Sequence, residues 1–468
     1  MQENRDRTII PLKRVLGLPT SILLVAGIMI GSGAFKKITA MSKSLGNEHY
    51  ILFVWIVAGI ITICGAFLFS GLTGLTKETG GIYEYLRLIY GEFVAFLLGW
   101  TYFAVVGSGA IAALAFVFSQ SADALFHFPP VLSEFKDISL GHFIFPFDGF
   151  TVKLLAIVTI VLLTMLNILG IKKAGKLNSV VTIAKIIGIL LLIVAGVFYE
   201  RGTSIVIHDR IPLHPLHGAA LFSGFFAATL SALWAYDGWA NITFVTGEIK
   251  NPERNLPFAI IGGVGIAITL YVLLNYVYMK VLPVNELAVI PDNKIAAAVV
   301  ANTLIGSLGA SLIAVLILIC TFGALNGCII SYPRIYFRMS QEKVFFKKAA
   351  WVHPNFKTPY IALIYSASWS CVLVFTGTFD RITDLVIFSS YLFLGLTAIG
   401  LIKMKRNGKI TKRVIGYPVI PWIIILFSTT LLLNTIIVQA KSTMIGVVLI
   451  ASGIPFYYWF KKGVKRKA

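Results

Sequence analysis

The chain has 468 residues, 57% of them hydrophobic and only 13% charged, against about 25% charged in an ordinary soluble protein. Too few charges remain to cover a water-exposed surface, which excludes a soluble multidomain protein and a disordered chain, and four cysteines are too few for a disulfide scaffold. The net charge of +20 suggests a nucleic-acid binder by its size alone, but the placement of the basic residues assigns it to membrane topology.

A bilayer-crossing helix needs about 20 mostly apolar residues. Twelve such runs follow one another, each bounded by charges or turn clusters: 16–42, 50–76, 90–120, 151–170, 178–199, 216–247, 257–282, 300–338, 360–376, 382–403, 419–439 and 443–460. The pattern predicts an all-α, polytopic membrane protein of 12 transmembrane helices. The first, third, sixth and eighth runs exceed the length of a straight span, so they must tilt, break or extend beyond the lipid. The first run is too long for a cleavable signal peptide and continues into more chain.

Lys and Arg alternate between the two sides of these runs. One side carries 28, in 1–15, at Lys77 and Arg87, over 172–176, at Lys250 and Arg254, over 334–357, over 403–413, and in the tail 461–468. The other side carries 11, and Lys185 falls within a run. The excess of positive charge predicts that both termini are cytoplasmic, in a cell (inner) membrane. The basic tail then reads as a lipid-surface anchor, and no nucleic-acid role is expected. Cys64, Cys320, Cys328 and Cys371 all fall inside runs without a CxxC pair, so neither a metal site nor a cofactor is expected.

Two runs are interrupted. The first contains Gly27, Gly31, Ser32 and Gly33, which weaken a helix at mid-membrane but also suit a close helix contact. The sixth contains Asp237-Gly238 between Trp234 and Trp239, a turn dipeptide with a costly carboxylate at membrane depth. Residues 16–199 and 216–403 form near-equal halves, each opening on an interrupted run, as in inverted-repeat transporters. Residues 419–460 then add two helices. A broken helix offers N–H groups to a carboxylate and C=O groups to an ammonium. Two facing breaks therefore suit the zwitterion of an α-amino acid, without any charged side chain.

Four stretches carry a family resemblance: IGSGAF (30–35), TGGIYEYLRLIYGEFVAFLLGW (79–100), LWAYDGWANITFVTGEIKNPERNLP (233–257) and FGALNGCIISYPRIYFRMS (322–340). With them the sequence resembles the L-type amino-acid transporter family, within the amino acid–polyamine–organocation superfamily, in its bacterial form. The resemblance implies a leucine-transporter-like 5+5 inverted repeat with helices 1 and 6 discontinuous and two extra helices. It implies that the N–H groups of Gly31, Ser32 and Gly33 hold the substrate carboxylate. The carbonyls of Met29, Trp234 and Asp237 would hold the ammonium, with Ala235 in the same turn. Trp234 stands where the family usually has Phe, a side chain that closes the site to the outside. Tyr271 matches a Tyr near the substrate, and Asn326 a recurrent polar position of the eighth span.

Read alone, Lys185 lies about seven residues, roughly 10 Å, from the end of its span, a depth from which a lysine can snorkel. The resemblance instead implies that it replaces a sodium ion against the broken first span. The function implied is sodium-independent exchange of L-amino acids, neutral ones foremost. Proton-coupled uptake is an alternative, as is cationic transport with Asp237 pairing to substrate. Lys36-Lys37, unusual directly after the first break, would anchor the outer half-helix at the interface or attract carboxylates. The loop 121–150 lacks the Cys by which animal members join a heavy chain, so no covalent partner is expected. A membrane-embedded enzyme is disfavoured by the lack of HExxH, GxSxG or a metal-binding His pair, and a channel by the lack of a carbonyl filter or charged ring.

Overall fold

A computed structural model describes residues 16–72, 75, 81–138, 145–169, 172–200, 216–291, 294–376, 379–411 and 413–465. The basic residues at 5, 7, 13, 14, 77, 412 and 466–467, and the side chains of those at 172, 173, 176 and 465, lie outside the described residues.

The elements in chain order are α1 (Leu18–Met29), α2 (Gly33–Lys36), α3 (Ile38–Leu45), α4 (Glu48–Leu72), α5 (Ile82–Tyr90) and α6 (Glu92–Thr101). A π-helical turn, Tyr102–Val106, joins α6 to α7 (Gly107–Phe126). Next come α8 (Phe150–Ile168), α9 (Lys172–Val197) and α10 (Gly218–Tyr236), then a 3-10 segment, Trp239–Glu248. The remainder is α11 (Pro252–Val281), α12 (Val284–Ala288), α13 (Ala296–Ser331), α14 (Pro333–Gln341), α15 (Tyr360–Thr376), α16 (Phe379–Arg406), α17 (Val419–Val438), α18 (Ala440–Ala451) and α19 (Gly453–Lys465). Short 3-10 turns lie at Ser133–Phe135 and Lys347–Ala350. Among the described residues there is no strand, only one isolated bridge between Leu16 and Ile249.

Among the described residues eleven helices are long and apolar enough to cross a membrane, and the shorter apolar Tyr360–Phe375 occupies the place of the ninth run. The protein is therefore an all-α, multi-pass membrane protein. Large apolar side chains such as Leu191, Leu426 and Ile437 are exposed on its perimeter, as a lipid-facing surface requires. With lipid outside, water exclusion does not drive the helices together; close packing and internal hydrogen bonds hold them.

The packing has a pattern. α1 lies on α11 and α9; α10 lies on α4 and α16. α7 packs on α13 and on α8, α13 on α15 and on α9, and α16 on α7. Exchanging the first five spans for the next five, in order, maps these pairings onto one another.

Among the described residues, stretches from the strongly basic side of the sequence meet at one end of the bundle. There Glu84 accepts from Arg338 at 2.8 Å and from Arg87 at 2.9 Å, Lys461 reaches Glu92 at 3.2 Å, and the Lys250 N–H bonds Leu16 O at 2.9 Å. Lys37, Asp380 and Gln439 meet at the other end.

Candidate substrate site

The first apolar run starts as a helix at Leu18, with Pro19 in its first turn, where a missing N–H costs nothing. It stops at Met29: Ile30 has ψ 83, Ser32 is back in helical φ/ψ, and the next helix starts at Gly33. α2 then passes into α3 through helical Lys37. Such a stop leaves carbonyls without i+4 partners. Long-range partners take them. The fully buried Lys185 ammonium donates to Gly27 O at 2.8 Å and Ile30 O at 3.0 Å. The Gly31 N–H turns back to Met29 O at 2.8 Å. Among the described residues no backbone carbonyl accepts from the N–H of Ser32 or Gly33.

The second break is built differently. α10 ends at Tyr236, Asp237 is extended (ψ 156), and Gly238 takes φ +94, a left-handed conformation open to glycine at little cost. The Asp237 N–H bonds Trp234 O at 3.2 Å and the Asn241 N–H bonds Gly238 O at 3.1 Å. The chain continues as a 3-10 segment in place of the α-helical second half.

The two breaks touch. A methyl group on Gly33 would lie 2.5 Å from Ala235 Cα, so here α2 meets the α10 backbone directly. The Tyr271 hydroxyl lies 2.8 Å from Met29 O and 3.0 Å from Ala235 O, and its one proton is shared between the two interrupted segments. Between them is a cavity lined by Ile28, Met29, Gly31, Ser32 and Gly33, by Trp234, Asp237 and Gly238, by Ala110 and Leu114 of α7, and by Cys328 of α13.

Of the residues singled out from sequence, Met29, Gly31, Ser32, Gly33, Trp234 and Asp237 thus line one cavity. Ala235 and Tyr271 stand directly behind the lining, and Lys185 behind the first break. Asn326 does not reach the lining; it accepts from Asn167 of α8 at 2.7 Å and ties α8 to α13. Ala110, Leu114 and Cys328 were missed. Ala110 and Leu114 are one helical turn apart in a run of small residues, a periodic signal that could have marked them. The expectation of an interface anchor or carboxylate lure at Lys36-Lys37 gives way to another arrangement. Both are buried, and Lys37 is held in an ion pair with Asp380 at 2.6 Å.

Toward the Lys37 end the cavity is bordered by Trp234, whose indole N–H donates to Ser32 Oγ at 3.2 Å and whose ring meets Phe379 edge-on at 5.9 Å. Toward the Glu84 end, Tyr102, Phe244 and Tyr332 form a triangle of rings with centroids 5.8–6.3 Å apart.

An all-helical membrane bundle enclosing a small cavity between two interrupted segments defines a secondary transporter. The chain belongs to the amino acid permease family, whose model matches residues 16–460. It is 32% identical to the serine/threonine exchanger SteT of Bacillus subtilis, over 96% of this chain and 98% of that protein. It is 29% identical to the mouse b(0,+)-type amino acid transporter 1, over 96% of this chain and 88% of that one. To the human cystine/glutamate transporter it is 26% identical, over 96% of this chain and 86% of that one. Its family and these relatives are transporters, not enzymes.

Proposed function

We propose that the protein exchanges small neutral L-amino acids across the cell membrane by alternating access, without sodium. The observation that carries this reading is the contact of the two interrupted segments around one cavity, with Lys185 bonded to the carbonyls of the first. The substrate carboxylate binds at the N–H groups of Ser32 and Gly33, which take no backbone carbonyl, beside Gly31. Its ammonium binds among the carbonyls near Met29, Trp234, Ala235 and Asp237. Lys185 supplies a fixed positive charge at the first break, so no metal cation is needed there.

The chain is organised as two inverted repeats, 16–199 and 216–403, with 419–460 as two further helices flanked by the terminal stretches 1–15 and 461–468. Support comes from the matched packing of the first five spans and the next five. The Glu84 end faces the cytoplasm, with both termini, because Arg87, Lys250, Arg338 and Lys461, all from the Lys- and Arg-rich side of the sequence, lie there. The carrier works without a disulfide-linked partner, since 121–150 contains no Cys.

Exchange, and small neutral substrates, are favoured by the likeness to a serine/threonine exchanger along nearly both full lengths. A second reading, cationic substrates, is favoured by the Asp237 lining. Counterflow in proteoliposomes tests both. The expectation is uptake of labelled serine or threonine only when unlabelled amino acid is inside, unchanged when sodium is replaced by potassium. Uptake into empty vesicles, a sodium requirement, or counterflow restricted to lysine and arginine overturns the first reading.

A further inference from the structure

Two lysines in an apolar segment need a physical reason, because each buried ammonium must find compensating charge. Lys37 is 1% exposed, and its Nζ lies 2.6 Å from Asp380 Oδ1, 2.7 Å from Thr383 Oγ1 and 3.8 Å from Asp384 Oδ1. Asp384 in turn accepts from Gln439 at 3.0 Å. Lys36 donates to Gln120 near the end of α7 at 3.0 Å. Both ammonium groups also lie over the Phe379 ring, at 4.8 and 5.0 Å from its centroid. Asp380, Thr383 and Asp384 fall at i, i+3 and i+4, one face of α16.

The position of this cluster gives it a meaning beyond stability. It ties the half-helix that follows the first break, α2, to α16 and α7. It also sits directly on Phe379, the ring against which Trp234 rests. Moving α2 away from α16 would stretch the Lys37–Asp380 pair. We propose that Lys37 with Asp380 and Asp384 is a latch that holds the outer side of the carrier shut, with Lys36–Gln120 as its second hasp. The proposal rests on the transporter reading. Such a latch suits a gate that must reopen: a separated ammonium and carboxylate at the outer surface regain water, so opening recovers hydration in exchange for the contact. Asp380 is already 40% exposed, so water is at hand when the pair parts.

Cys328 lines the cavity and serves as a reporter once Cys64, Cys320 and Cys371 are replaced by Ala. The rate of its reaction with a membrane-impermeant maleimide, added outside intact cells, measures outer opening. Lys37→Met and, separately, Asp380→Asn are each expected to raise that rate at least fivefold. The reversed pair, Lys37→Asp with Asp380→Lys, should bring it back toward the parent value. A role in stability alone lowers the yield of protein without accelerating labelling of what is made. Parent-rate labelling, or none, in both single variants overturns the latch, and Asp380→Asn stands as the test if Lys37→Met does not fold. Serine counterflow on the same cysteine-reduced parent separates the two claims. Its absence would remove the serine-exchange reading, whereas labelling rates decide the latch.

Discussion

The two interrupted segments meet the same physical problem, backbone groups set free inside a membrane, and solve it in opposite ways. The first break is held from outside. Lys185 and Tyr271 reach it from α9 and α11, 158 and 242 residues away along the chain. The second is held mostly from within, by bonds across three residues and by one left-handed glycine. A break propped by distant side chains can be altered by any motion of the helices that carry them. A locally closed break keeps its shape as neighbours move. The first thus leans on Lys185 and Tyr271, and the second leans less on its neighbours, through the Tyr271 bond to Ala235 O.

This contrast can be broken by substitution. Lys185→Met leaves two buried carbonyls without donors, at about 1–3 kcal/mol each, and so should lower serine counterflow on the order of a hundredfold at equal surface abundance. Retained counterflow would mean that the first break needs no external prop. Gly238→Ala places a side chain at φ +94 and its methyl 2.5 Å from Ile28 Cγ2, so a loss of about tenfold or more is expected. Only repacking of Ile28 can relieve that clash, so Ile28→Ala in the same chain should restore part of the rate. Tyr271→Phe removes one shared proton, worth about 1 kcal/mol, and should raise the half-saturating serine concentration about fivefold. Asn326→Leu should be the mildest: half-saturation within about twofold of the parent and a lower melting temperature, because Asn326 meets Asn167 away from the cavity.

The sequence exposes what is local. The run of small residues at 31–33 and the Asp-Gly pair at 237–238 disclose both interruptions, since backbone freedom and turn chemistry are written in neighbouring residues. What it conceals is long-range partnership. Lys185 read alone suits a snorkelling lysine equally well, because its acceptors are carbonyls, which no residue name reveals. Lys37 and Asp380 are 343 positions apart, so an apparent surface anchor becomes a buried ammonium paired with a part-exposed carboxylate only once α2 and α16 are brought together. Ala110 and Leu114 are hidden for a further reason: small and aliphatic residues are ordinary in a membrane helix, and only the fold distinguishes those that face a cavity.

The π-helical turn at Tyr102–Val106 carries one more consequence. Its displaced carbonyls are engaged: Tyr336 donates to Tyr102 O and Trp369 to Ala104 O, each at 3.0 Å. A π turn holds one residue more than an α turn. The extra residue is taken up within that one wide turn, so the helix beyond it keeps the facing of an uninterrupted α-helix one residue shorter. Deleting a residue between this turn and Ala110 would instead swing Ala110 and Leu114 by about 100° around the helix axis and off the cavity wall together.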